Sequence, residues 1–536
     1  MTIVNFADIF TSDFDEDALT TDKAGERIRN FGHLTTAGDL ANGISGDAND
    51  VSVRNFGQIE TNGLGAAGIL VEGENAHIVN HGSVTTHGGF LDPDPAVDGD
   101  EFFSEGIFAN GAGFHIANYG RVHVEGEISS GLVGVGADGI IVNYGQVESS
   151  SIFSAMIVAI GDHGQAINAG HMTGTGDFIT GLSAGGVDAV MLNRGRIEIS
   201  GAEGATGIGG ELRDHSQVTN RGIVHIAADD SFGVLARVGE DLQVSNYGRI
   251  ETEGTFAVGI GTGGLAGHIL NAGRVATEGD LSIGVTLGAT KIGFVPAADG
   301  TIVNRGVIET DGDGAAGVLM NGDGHHLVNS GKITTDGGAA DSPVMGLLHA
   351  AGVLVSGDDV LVENTSTGVI RSADAASAAV ELNVIEQEGL PAADLSARLE
   401  NSGLIKAASV AILGGAGEES VVNHGLIVGD VLLGDGADSF VFGKGGKLIG
   451  DLVLGGGDDL VLVENVAGKA EVADFAAGAL GGDVIDVSAF FSSFGDLKAH
   501  SSQGGADVVI ALDFNDQLVL ANTEVSALSD ADFLFA

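Results

Sequence analysis

The chain has 536 residues, with 90 glycines, five prolines, no cysteine, no tryptophan, and 74 acidic against 22 basic side chains for a formal net charge of −52. That charge repels phosphate backbones and anionic lipid, which argues against a nucleic-acid partner; the lack of cysteine removes disulfides as a staple, and no stretch approaches the roughly 18 apolar residues of a membrane span. With 43% hydrophobic residues the sequence buries a core, so its acidity does not make it a disordered tail.

The opening stretch, MTIVNFADIFTSDFDEDALTTDKAG, has no basic segment leading into an apolar one, so no N-terminal secretory signal is read there. Beyond it the chain repeats itself. Asn-x-Gly-x-aliphatic returns at Asn30, Asn55, Asn80, Asn118, Asn143, Asn168, Asn193, Asn220, Asn246, Asn271, Asn304, Asn329, Asn401 and Asn423, most often at a step of 25, with Asn364 keeping only the Asn and Asn5 a degenerate first copy.

Four residues past the Asn stands an aliphatic such as Leu34, Ile59, Val84 or Val122, and two before it another such as Ile28, Val53 or Ile78. Period-two alternation of this kind makes a half-buried strand on each side of the Asn-Gly turn. A third strand follows Gly-aliphatic pairs such as Gly68-Ile69 and Gly259-Ile260. Three strands in about 25 residues predict an all-β fold, a right-handed parallel β-helix over 1–426.

In that helix the Asn column is a ladder, each side-chain amide donating to one neighbouring coil and accepting from the other. The turn is expected to draw on the left-handed backbone that Asn tolerates, with the Gly allowing it to tighten. Longer steps mark insertions at 88–105, 288–300, 336–349 and 383–398, read as projecting loops.

After 427 the pattern changes. Gly434-Asp435-Gly436-Ala437-Asp438-Ser439-Phe440-Val441 and Gly455-Gly456-Gly457-Asp458-Asp459-Leu460-Val461-Leu462 fit the core of the Gly-Gly-x-Gly-x-Asp-x-aliphatic-x nonapeptide. Tight glycine turns aim carbonyl oxygens at a cation, and the Asp adds a hard carboxylate oxygen. The segment 427–466 resembles the RTX family, whose repeats wind a β-roll around calcium. The resemblance implies Ca2+ held by Gly434, Asp435, Gly436, Asp438, Gly455, Gly457, Asp458 and Asp459. Between the two copies, Lys447 stands where the Asp is expected, which predicts calcium on one side of the roll only.

The tail, 467–536, resembles the C-terminal region of type I-secreted RTX proteins, including that following the protease domain of serralysin-type metalloproteases. The matching residues are Asp474-Phe475, the run Gly482–Ser488, Phe494, Asp496-Leu497, the strands Asp507–Ile510 and Gln517–Leu520, and Asp532–Phe535. That resemblance implies a β-rich secretion domain carrying an uncleaved export signal. No HExxH occurs, so the protease itself is absent. More loosely, the body is similar to β-helical adhesin and passenger repeats of Gram-negative surface proteins.

A polysaccharide lyase or epimerase needs cationic or aromatic subsites and a converging base. The sequence offers Tyr119, Tyr144 and Tyr247 just after the repeated Asn, His77, His115, His268 and His326 three before it, and adjacent pairs such as Asp229-Asp230 and Asp358-Asp359. The tyrosines and histidines are read as outward ladder positions, and the adjacent aspartates as side chains that point apart on a strand. The reading is therefore a non-enzymatic, secreted, calcium-binding cell-surface protein of a Gram-negative bacterium, assembling with copies of itself into a filament or layer. Its partners are the type I secretion channel and, on the alternative reading, a surface polysaccharide bound by the loops of a monomeric adhesin.

Overall fold

The structure is a computed structural model that describes residues 1–92, 102–290, 293–294, 297–342, 346–384, 395–464, 468–478, 482–513 and 516–536. Among these residues the elements are almost all β-strands, the exceptions being one α-helix, Phe494–Ala499, and a 3-10 turn at Asp530–Asp532. The chain divides into two compact units, Met1–Gly267 and His268–Ala536.

In the first unit each coil carries three strands, as in Ser52–Asn55, Gln58–Thr61 and Ile69–Glu72. Every strand pairs in parallel with its counterpart one coil away. Asn55 lies between Asn30 and Asn80, Ile59 between Leu34 and Val84, and Ile69 between Ile44 and Ile107. The alternation in the sequence is the alternation of the pleat: Val53, Ile59, Ile69 and Val71 point inward and are essentially inaccessible. Burying each such side chain contributes about 1.5–3 kcal/mol, so the core grows coil by coil.

The Asn ladder runs through Asn5, Asn30, Asn55, Asn80, Asn118, Asn143, Asn168, Asn193, Asn220 and Asn246, Nδ2 donating to the next Oδ1 at 2.8–3.0 Å. Each Oδ1 also accepts an amide two residues on, as Gly57 N donates to Asn55 Oδ1 at 3.2 Å, which closes the turn. The turn differs from expectation in one respect. None of these asparagines has a positive φ, and the left-handed residues sit at the other two turns, for example Leu40, Phe153 and Phe178 at one and Asp50, Asp138 and His163 at the other. The Gly of the motif answers a different need, because a Cβ on Gly57 would stand 2.0 Å from the carbonyl oxygen of Gly32 in the coil before.

Just past the Asn, outside the core, a second ladder forms. Phe6, Phe31, Phe56, His81, Tyr119 and Tyr144 stack ring on ring with centroids 4.8–5.0 Å apart. Tyr119 and Tyr144 are thus outward rungs of this stack, half exposed.

The insertions fall at the turns on either side of the third strand, never at the Asn turn. Leu91 and Phe102 bridge the ends of 88–105, and Ser104 Oγ donates to Gly89 O at 3.0 Å, so these ends fold back on their coil rather than project. From 336–349 comes an antiparallel hairpin, Ala339–Ser342 with Gly346–His349. Most of 383–398, the middle of 88–105 and parts of 288–300 lie outside the described residues.

In the second unit the first strand column passes through Asn271, Asn304, Asn329, Asn364, Asn401 and Asn423 in register. It then continues without Asn: Asn423 pairs with Phe442, Phe442 with Val463, Val461 with Ile485 and Ile485 with Phe533. The Asn364 turn carries two extra residues, which the loop absorbs so that Ile370 still pairs with Ile333. At the end the parallel winding stops. Lys469–Val472 pairs in parallel with Gln517–Leu520, which turns antiparallel to Asp507–Ala511 and so covers one strand edge.

Candidate functional site

The glycine turns of the sequence motif stack directly on one another. Gly436 N donates to Gly456 O at 2.7 Å, and Gly456 N to Gly434 O at 2.9 Å. Glycine is required here twice over: Gly436 and Gly457 have φ of +147° and +148°, and a Cβ on Gly457 would stand 1.5 Å from Gly436 O.

The stacking separates the predicted ligands into two kinds. Asp435 and Asp458 are exposed at the turns, whereas Asp438 and Asp459 are turned inward and 2% exposed. Asp438 N donates to Asp459 Oδ1 at 2.9 Å, so the two are neighbours in a column.

That column has two further members that the sequence reading missed. Glu419 N donates to Asp438 Oδ1 at 2.8 Å, and Asp459 N to Asp483 Oδ1 at 3.4 Å. The signal for Glu419 lies in Gly415-Ala416-Gly417-Glu418-Glu419, which has the Gly-x-Gly-x-acidic spacing of the two recognised turns with Glu in place of Asp. Its glycines stack as well, since Asp435 N donates to Gly415 O at 2.9 Å. Asp483 stood in the tail motif and here terminates the column, its Oδ2 accepting from Ala476 N at 2.8 Å.

The result is an interior line of carboxyl groups, Glu419, Asp438, Asp459 and Asp483, between 1% and 5% exposed. It copies the logic of the Asn ladder with one part missing. An asparagine accepts with its oxygen and donates with its nitrogen, whereas a carboxylate only accepts. Glu419 Oε1 and Oε2, Asp438 Oδ2 and Asp459 Oδ2 are consequently buried without a hydrogen-bond partner.

The electrostatics reflect that arrangement. Burial, then the neighbouring charge of Asp438, pushes the Glu419 carboxyl up to about 8. Burial, with the charge of Asp459 adding to it, pushes Asp438 up to about 6. Asp459 and Asp483 are raised too, by burial first and then by neighbouring carboxylates. The Glu419 and Asp438 carboxyls can share a proton, which gives one otherwise orphaned oxygen of each a partner and leaves the second Glu419 oxygen and Asp459 Oδ2 without one. A small cleft of about 190 Å³, lined among others by Glu418, Glu419, Ser439 and Arg398, lies against the Glu419 end.

Lys447 begins the short strand Lys447–Ile449, is exposed, and sits in register with Leu426 rather than with an acidic turn. The tail aspartates are turn formers. Asp474 accepts from Leu454 N at 2.8 Å and Gly455 N at 2.9 Å, and Asp532 from Gly478 N at 2.8 Å and Ser529 N at 2.6 Å. The adjacent acidic pairs are likewise engaged: Asp229 Oδ1 accepts from Thr255 N at 2.8 Å, and Asp358 Oδ1 from Ser396 Oγ at 2.7 Å.

Among known proteins, residues 2–151 match the family described as the BigA third pectate lyase-like domain. The match covers the coils from Asn5 to Asn143 and agrees with the parallel β-helix seen there; the acidic column lies outside it. No curated protein matches the chain.

Proposed function

We propose that the chain is a secreted, calcium-binding structural protein of the bacterial surface rather than an enzyme, and that its acidic column takes up the calcium. The observation that carries this reading is the set of buried, partnerless oxygens on Glu419, Asp438 and Asp459. Burying such oxygens is costly unless a proton or a cation completes them, and an all-oxygen donor set suits a hard cation.

Calcium takes about 6–8 oxygens. The donor set proposed is Asp438 and Asp459 with carbonyls of the stacked glycine turns; among the described residues no three His, Cys, Asp or Glu side chains converge as a metal group by themselves. A carbonyl that already accepts one inter-coil bond keeps a second lone pair for this. The likeness of 427–466 to RTX repeats, and of the tail to type I-secreted proteins, supports the same reading. Where calcium is scarce the ionised column repels itself, and where calcium is plentiful binding supplies folding free energy. Calcium bridging of acidic flanks between copies belongs to the same proposal as the route to a filament or layer.

The test is a calcium titration of the full chain at pH 8, beside the D438N/D459N variant. Saturable binding above the diffuse background of surface carboxylates is expected for the wild type and is lost in the variant. Superimposable isotherms would refute the assignment.

A further inference from the structure

Arg27, Arg29 and Arg54 lie exposed on the outward side of the first strand column. The 25-residue register sets Arg29 directly beside Arg54, and Arg27 beside Ser52, which is followed by His77 and then His115. The two imidazoles have centroids 5.0 Å apart. Arg27, Arg29, Arg54, Ser52, His77 and Asp50 are among the residues lining a cleft of about 420 Å³.

Three observations make this face unusual. Like charges directly opposite on neighbouring strands destabilise a sheet, yet Arg29 and Arg54 are so placed in a chain with 74 acidic residues. Seven cations elsewhere, Arg121, Arg196, Arg249, Arg274, Arg398, Lys332 and Lys469, each pair with a glutamate, whereas Arg194, Arg305 and Arg371 have no ion pair among the described residues. Among the described residues Arg27, Arg29 and Arg54 have no ion pair or side-chain hydrogen bond. Asp50, the one carboxylate lining the cleft among the described residues, is engaged by Asn75, whose Nδ2 donates to Asp50 Oδ1 at 3.1 Å. His77 is held below the usual imidazole range by burial, then by His115 and Arg54, so near neutral pH it contributes hydrogen bonding rather than charge.

We propose that this cleft is a binding site for an acidic polysaccharide, a linear polyuronate laid along the coils with its carboxylates on Arg27, Arg29 and Arg54. Guanidinium forks match carboxylates two bonds at a time, and the row of cations runs from coil to coil as an extended polymer does. A protein partner is disfavoured because, among the described residues, no Phe, Tyr or Trp and no exposed apolar anchor lines the cleft, its large apolar member Ile28 being fully buried. The net charge of −52 opposes a nucleic acid, whose charge density is higher. This site is independent of calcium and of the acidic column.

The experiment is fluorescence anisotropy of labelled alginate oligomers with the full chain, in chelator and at low salt, with dextran as the neutral polymer. Binding to alginate but not dextran is expected, weakened at least tenfold in R29Q/R54Q and by added salt, and unchanged in R121Q/R249Q, whose arginines are paired on another face. Equal binding by R29Q/R54Q, equal binding to dextran, or no binding by the wild type overturns the proposal. So does sedimentation as an oligomer that R29Q/R54Q dissociates, since the anion would then be another copy's acidic surface. Circular dichroism melts of both variants check that the fold persists, and R27Q offers a second route if R29Q/R54Q melts early.

Discussion

Asn55 Nδ2 donates to Asn80 Oδ1 at 2.9 Å with both side chains fully buried, and Asn80 passes the bond on to Asn118 at 2.8 Å. The ladder is therefore self-satisfying: each amide accepts from the one before it and donates to the one after it. Replacing Asn80 by Ala leaves Asn55 Nδ2 and Asn118 Oδ1 each without that partner in the core. The expected cost is about 3 kcal/mol, read as a lower denaturant midpoint. Asn80→Asp should cost at least as much, since the carboxylate accepts from Asn55 but cannot donate to Asn118. An unchanged midpoint in both variants would mean that the ladder contributes nothing to stability.

The acidic column predicts an unusual pH dependence in the absence of metal. Glu419, raised to about 8, and Asp438, raised to about 6, keep protons in the folded state that the unfolded chain releases near pH 4. Their contribution to stability is fully present below the unfolded values and is lost as pH rises, between about 4 and 6 for Asp438 and between about 4.5 and 8 for Glu419. Glu198, drawn down to about 2 chiefly by Arg196, acts in the opposite sense but below that window. Glu105, pushed up by burial to about 8, and Glu381, pushed up by burial to about 7, act in the same sense as the column. Thermal melts in chelator should therefore fall between pH 5 and 8, and the column's share is the flattening of that profile in E419Q. A profile that rises across this window would contradict the assignment.

Phe533 joins the last turns to the rest of the second unit. Its ring lies 6.3 Å from those of Phe475, Phe494 and Phe535, and it is 3% exposed. Phe533→Ala should cost about 3–5 kcal/mol and expose the strand Val484–Asp486, which pairs with Phe533–Leu534. Hydrogen exchange checks it: faster exchange is expected at Val484 and Ile485 and no change near Asn143.

Residues repeated in every coil were legible in the sequence, because one physical demand recurs at one spacing. Asn55, Gly57 and Ile59 are such a set, and their neighbours at 25-residue steps announce them. The reason for Gly57 was not legible, since the conflict with Gly32 O exists only once two coils are stacked. Glu419 was overlooked because its turn substitutes Glu for Asp, although the glycine spacing was intact. The arginine face was hidden for another reason: Arg29 and Arg54 look like isolated cations until the register sets them side by side. In the candidate site, Asp438 and Asp459 were named from the motif alone, but their inward turn, and with it the contrast to exposed Asp435 and Asp458, depends on how the glycine turns stack.

Whether the acidic column takes up calcium is read from the number of protons released when calcium is added to the unbuffered 536-residue chain held at pH 7. Surface carboxylates are already ionised there and release none, whereas a column that keeps a proton on Glu419 must give it up to bind a cation. Release of about one proton per chain, abolished in E419Q/D438N, is the predicted result. Calcium binding with no proton release, or the same release from the variant, would contradict the account.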